Sequence, residues 1–290
     1  MHSKILPSQI ITIVMLCVVY AVVGRFALLL AIPPGYATAI FPSSGIAVAA
    51  LLIWGWRLWP GIFLGSVLLN VWVSIELAPL TISEFQIAFA VATGATLQAL
   101  AGVWFVKRLI GFPTTLSKEK DIILFMLMAG PVACVISASF GVTSLLLSDV
   151  ITGSSYVYSW FTWWVGDTTG VLIVTPLMFI AFAKPRQIWR SRRRAVAIPL
   201  LLMLVVVIVV FIWVSKWEHE RSLFEFKEIT SDTADKLHSS FTGYVDAVTS
   251  IERFFVSSSN VTREDFHLFV ENMIVQKPGI NGLSLSLIHI

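Results

Sequence analysis

Between Trp163 and Gly170 the chain reads Trp-Trp-Val-Gly-Asp-Thr-Thr-Gly, which sets a carboxylate inside an otherwise apolar run. An aspartate at the centre of a membrane helix costs roughly 2.5–3.5 kcal/mol on insertion scales, so Asp167 calls for a partner or a task. Three more polar groups interrupt apolar runs: Arg25, Asn70 and Gln98. An ionisable group within a membrane is a functional hypothesis whose partner has to be named. At about 1.5 Å per residue, Asp167 lies roughly 17 Å below the end of its helix and Arg25 roughly 10 Å below its own. The long arginine side chain could bridge that difference, which makes an Arg25–Asp167 pair one expectation. The other is that Asp167 is held locally by Thr168, Thr169, a tryptophan or backbone groups. Asn70 and Gln98 read either as interhelical hydrogen-bond partners or as the lining of a ligand cavity. With Trp163 and Trp164 beside the carboxylate, these residues form the candidate set for sensing a ligand or signal.

The chemistry on offer is binding rather than catalysis. The sequence contains no Gly-x-Gly-x-x-Gly or phosphate-loop pattern and no nucleophile–base arrangement. Cys17 and Cys134 sit in apolar runs and suggest neither a disulfide framework nor a zinc site. His219, His238 and His267 lack metal-ligand spacing. The expectation is a chain with no catalytic residue, no metal and no cofactor. Arg190, Arg192, Arg193 and Arg194 could be read as a nucleic-acid patch, but beside an apolar run they are better read as a topology anchor touching anionic lipid.

The elements that must position Asp167 are membrane helices. Of 290 residues, 57% are hydrophobic and 13% charged, against about 45–50% and about 25% in soluble domains. Eleven tryptophans and twenty phenylalanines suit aromatic belts at the two interfaces. Apolar runs of about 20 residues can be placed seven times, at 9–31, 37–55, 58–75, 85–106, 122–147, 157–183 and 196–214. The expected fold is an all-α polytopic membrane protein, a bundle of six spans over 1–195 followed by a seventh helix at 196–214. The fifth run contains Gly130-Pro131, and a kink is expected there because proline removes a helical donor. Gly61-x-x-x-Gly65 should let two helices approach closely. The first run is of spanning length and lacks a small-residue cleavage pattern, so it does not read as a cleavable signal.

Charge in the connections indicates orientation. Lys4, Arg57, the Lys107–Lys120 group and the Lys184–Arg194 group alternate with connections that carry only Glu76, Glu84 and Asp149. This alternation predicts a cytoplasmic amino terminus and, with an odd number of crossings, an exported tail after 214.

In the tail, Leu237, Phe241, Tyr244, Val248, Ile251 and Phe255 recur with a 3.5-residue period, the geometry of a coiled-coil seam. A homodimeric stalk is one reading; a single amphipathic helix packed on its own domain is the other. Thr262 can cap the next helix with Asp265 as its reciprocal partner. Phe266, Phe269, Val270, Met273 and Ile274 then share a face up to Pro278-Gly279. The last six residues, Leu285 to Ile290, are what CTG-TCT-CTT-ATA-CAC-ATC encodes, a string matching a transposase adapter. The expectation is that the natural sequence departs near Ser284, leaving 215–284 as the truncated start of an exported domain and 285–290 as an artefact.

Two stretches together carry a resemblance. Phe41-Pro42-Ser43-Ser44-Gly45-Ile46-Ala47 with Arg57-Leu58-Trp59-Pro60-Gly61-Ile62-Phe63-Leu64-Gly65 resembles the first signature of the first-described type of bacterial membrane-associated sensor domain (MASE). Trp163-Trp164-Val165-Gly166-Asp167, continuing through Gly170 to Thr175-Pro176, resembles its second. The tail, from Ile251-Glu252-Arg253-Phe254-Phe255 through Val261-Thr262-Arg263-Glu264-Asp265-Phe266 to Pro278-Gly279-Ile280, is similar to the opening of a CHASE domain, an extracytoplasmic sensory module.

The resemblance implies the input region of a bacterial inner-membrane receptor that binds an unknown small molecule and relays to a histidine kinase or a cyclic-di-GMP enzyme. A small-solute transporter or channel, and a passive membrane anchor, are the competing expectations.

Overall fold

The computed structural model describes residues 7–29, 31, 38–77, 81–113, 116, 118–184, 186, 189, 193–258 and 261–276, and among them there is no strand. The chain divides into two compact units, Met1–Lys216 and Trp217–Ile290.

The first unit contains α1 (Pro7–Leu28), α2 (Pro42–Ile53), α3 (Trp59–Leu77), α4 (Ile82–Leu109), α5 (Glu119–Leu127), α6 (Ala133–Leu147), α7 (Tyr156–Phe182) and the first part of α8 (Ile198–Ser257). Among the described residues, six helical stretches are long and apolar enough to cross a membrane: Ser8–Leu28, Trp56–Glu76, Ile82–Leu109, Glu119–Leu147, Gly153–Phe182 and Arg194–Trp213. The protein is an all-α, multi-pass membrane protein. Local signals explain several boundaries. Glu84 N–H donates to Thr81 Oγ1 at the start of α4 (3.4 Å). Lys107 and Arg108 occupy the last turn of that helix, where positive charge suits its dipole. The expected kink is a π-turn, Met128–Val132, built around Pro131.

The expectation of a spanning helix at 37–55 is corrected. Helix α2 has 12 residues, about 18 Å at 1.5 Å per residue, too short for a hydrocarbon core of about 30 Å. Pro42 opens it at the first helical turn, where a missing N–H is tolerated. Before it, Phe41 is non-helical (φ −119°, ψ 88°). Its N–H donates 2.9 Å to the Gly166 carbonyl, in the middle of α7. Non-helical backbone at that depth is possible only where protein covers it, and Thr38 and Ile40 are buried.

Helix directions follow from which residues meet. Gly61 faces Ile13, Gly65 faces Cys17 and Tyr20, and Gly24 faces Leu69, so α1 and α3 run parallel. The chain between them must therefore return, and the described part of that return is non-helical Thr38–Phe41 followed by α2. Gly94 against Phe140 and Gly102 against Ala133 make α4 and α6 antiparallel; Gly141 against Trp163, with Gly130 just before α6 against Leu172, does the same for α6 and α7. These directions put Arg57, Lys107, Arg108, Lys118 and Lys120 at one end of the bundle. Glu76, Glu84 and Asp149 lie at the other.

In the second unit, α9 (Arg263–Gln276) folds against the last turns of α8. Phe254 stacks on Phe269 with ring centroids 4.4 Å apart, and Phe255 meets Phe266 at 5.8 Å. Ala247 and Val270 are buried. The predicted seam is thereby divided: Phe255 packs within its own unit, while Leu237, Phe241 and Val248 stay exposed. Thr262 and Asp265 form the expected reciprocal cap, with Asp265 N–H donating to Thr262 Oγ1 (3.2 Å) and Thr262 N–H to Asp265 Oδ2 (3.1 Å). These bonds hold the Asp265 carboxyl below its ordinary range. Pro278-Gly279 and residues 285–290 lie outside the described residues.

Candidate functional site

The two conspicuous sequence stretches, one around Phe41–Gly45 and one around Gly166–Gly170, pack directly on each other. Glycine is required at three positions of this contact. A Cβ on Gly166 would come within 2.1 Å of the Thr38 carbonyl oxygen, one on Gly170 within 2.0 Å of the Phe41 oxygen, and one on Gly45 within 2.3 Å of the Gly170 oxygen. Hydroxyls complete the seam. Ser44 Oγ donates to the Asp167 carbonyl (2.9 Å), Thr175 Oγ1 to Gly45 O (3.0 Å) and Ser43 Oγ to Tyr20 O (2.9 Å). The shared physical theme is close backbone approach sealed by short side chains, as expected when apolar burial gives no advantage over lipid.

Holding α2 against one side of α7 turns Asp167 toward α1, α3, α4 and α6. There it borders a cavity of about 50 Å³, enough for a few water-sized groups. Tyr20, Ser66, Asn70, Ser137 and Trp163 supply its other polar groups. Phe41, Leu69, Val73 and Val91 supply apolar wall. Asp167 is 2% exposed. Trp163 Nε1 donates to Ser137 Oγ (3.3 Å) beside the carboxylate, and Asp167 Oδ2 is buried with no hydrogen-bond partner in the structure. An unpaired carboxylate oxygen in such surroundings is costly, and a molecule that donates to it would recover that cost.

Of the residues singled out from the sequence, Asp167, Trp163 and Asn70 come together at this cavity. Asn70 Nδ2 donates to Ser66 O of its own helix (2.8 Å), so its interhelical role is replaced by a place in the lining. Gln98 is buried between α4 and α6, where Nε2 donates to Cys134 Sγ (3.1 Å), outside the cavity. Trp164 Nε1 donates to the Pro131 carbonyl (2.8 Å) and so steadies the π-turn. Gly61 and Gly65 lie on the α1–α3 contact.

The Arg25–Asp167 pair is a correction. Arg25 pairs with Glu76 in the last turn of α3, because parallel α1 and α3 bring their ends together near one face of the bundle. Asp167 is served by α6 and its own helix instead. Of the arginine cluster, Arg194 is exposed; Arg190 and Arg192 lie outside the described residues, and so does the side chain of Arg193. Tyr20, Ser66 and Ser137 were missed as site residues. Within membrane helices such groups commonly bond their own turn, and only the packing reveals that these three converge.

The MASE1 family model matches residues 12–226. No curated protein matches, and no solved structure matches. The chain belongs to the MASE1 family, a membrane sensory domain of signalling receptors.

Proposed function

We propose that this MASE1 chain is the input region of a bacterial inner-membrane receptor whose stimulus is a small molecule bound beside Asp167. The observation that carries the reading is the unpaired Oδ2 of a buried carboxylate on a residue that lines a cavity. The bundle end that carries Arg57, Lys107 and Arg108 faces the cytoplasm, by the bias of basic residues toward that side. The tail after residue 214 is then periplasmic and belongs to a CHASE-type module. Exposed Leu237, Phe241 and Val248 form the contact between two copies of the chain. The output is a histidine kinase or a cyclic-di-GMP enzyme, and the chain itself catalyses no reaction.

A transporter or channel is the rival, and one observation favours it: a half-length helix preceded by non-helical backbone at membrane depth, a device transporters use at substrate sites. Reconstitution into proteoliposomes separates the two. The receptor reading expects no saturable uptake of amines, sugars or inorganic cations, whether driven by a gradient or by counterflow. Saturable uptake that is abolished by Asp167→Asn overturns it.

A further inference from the structure

We propose that the Asp167 cavity binds a small primary ammonium ion, with the ammonium head on Asp167 Oδ2 and a short alkyl part against Leu69, Val73 and Val91. This rests on the reading of the cavity as the stimulus site and names the ligand class that site takes.

The carboxylate sets the sign of charge. Asp167 is buried, and its Oδ2 has no partner in the structure. The complementary group is a cation or a strong hydrogen-bond donor, and a charged donor makes the shorter, stronger bond. A second acceptor is oriented by the fold. The Ser66 carbonyl can only accept, so the Asn70 amide must present nitrogen to it. That leaves the amide oxygen as an acceptor on a residue that lines the same cavity.

A bare divalent metal ion suits the site poorly. Calcium takes six to eight oxygen ligands and magnesium a near-octahedral set, whereas Asp167 is the one carboxylate lining the cavity and no cluster of three His, Cys, Asp or Glu side chains occurs among the described residues. An ammonium head asks for less, because three N–H donors can be met by one carboxylate, one amide oxygen and one hydroxyl. Tyr20, Phe41 and Trp163 border the space, and aromatic faces add attraction for a cation. The volume of about 50 Å³ suits a short alkyl part. A quaternary ammonium has no N–H to offer the carboxylate and the amide oxygen, so it is excluded by its chemistry.

The test uses the full chain in lipid nanodiscs at neutral pH, with ethylammonium chloride as the probe and calorimetric titration plus thermal unfolding as readouts. Ethylammonium is expected to bind saturably and raise the unfolding temperature. Sodium chloride and tetramethylammonium chloride at the same ionic strength are expected to do neither. Asp167→Asn should weaken binding about ten- to a hundredfold, the loss of one charge-assisted hydrogen bond. Ala95→Leu fills the cavity from α4 and leaves the carboxylate intact; it should abolish binding, and it decides the matter if Asp167→Asn does not fold. Equal saturation by sodium or tetramethylammonium overturns the ligand class, as does unchanged binding in either variant. No response of the wild-type chain to ethylammonium also overturns it. None of these results would produce flux in proteoliposomes, so failure of the ligand class is distinguishable from failure of the receptor reading.

Discussion

Helices α7 and α8 are both apolar enough to cross a membrane, but they differ in everything that packing requires. Helix α7 carries Gly166, Asp167, Gly170 and Thr175, and all four are buried, against the Thr38–Phe41 segment, α2 or the cavity. The spanning stretch of α8, Arg194–Trp213, has none of its length buried within the chain and consists largely of leucine, isoleucine and valine. Apolarity carries a helix into the bilayer. It does not hold helices together there, because lipid tails are as apolar as leucine. Small residues that admit close backbone approach, and polar groups that need partners, decide what packs.

That contrast can be broken at its strongest point first. Gly170→Val places a side chain where a Cβ already sits 2.0 Å from Phe41 O. The substitution should cost about 3 kcal/mol or more and disperse the α2–α7 contact. The check is the yield and thermal stability of the solubilised chain, beside Leu202→Ala in α8 as the control. That control should change stability by about 0.5 kcal/mol or less. Similar losses in both variants would mean that the two helices are not different in kind.

A smaller effect is expected from Trp164→Phe, which keeps the ring and removes the bond to the Pro131 carbonyl. It should cost about 1 kcal/mol and speed backbone amide exchange around the π-turn. Unchanged exchange there would show that the turn is held by Pro131 alone.

Arg25→Gln should matter less again, about 0–1 kcal/mol, since the Arg25–Glu76 pair is partly exposed at the edge of the bundle. Combined with Asp167→Asn, its effect should add without coupling. A double mutant that rescues either single one would restore the Arg25–Asp167 pair.

In the second unit, the cap bonds hold the Asp265 carboxyl low. A depressed carboxylate contributes stability above its unfolded-state value and loses it as pH falls through the folded-state value. The α9 end should therefore loosen in acid. Thr262→Ala should flatten that acid limb, measured by amide exchange in α9.

Much of this was legible from residues taken in order. Spans were readable wherever apolar runs reach membrane length, because insertion depends on local composition. An irregularity at Pro131 and the Thr262–Asp265 cap were readable for the same reason: both are settled within one helical turn. The short α2 was hidden. Residues 37–55 have the composition of a span, and the break at Phe41 depends on a hydrogen bond to Gly166, far along the chain. Arg25 illustrates the same limit, since estimating depth along single helices cannot tell which helix lies beside α1.

By itself, then, the sequence determined that this chain is a helical membrane protein, roughly where its helices lie, and that a carboxylate stands at Asp167. Only the tertiary structure decided that α1 and α3 run parallel, that Glu76 takes Arg25, and that Tyr20, Ser66, Asn70, Ser137 and Trp163 converge on Asp167. The physical reason is range. Insertion, kinking and capping are set by neighbours within a few residues. Which polar groups meet is set by glycine-sized approaches between helices distant in the chain, and no local pattern encodes that choice.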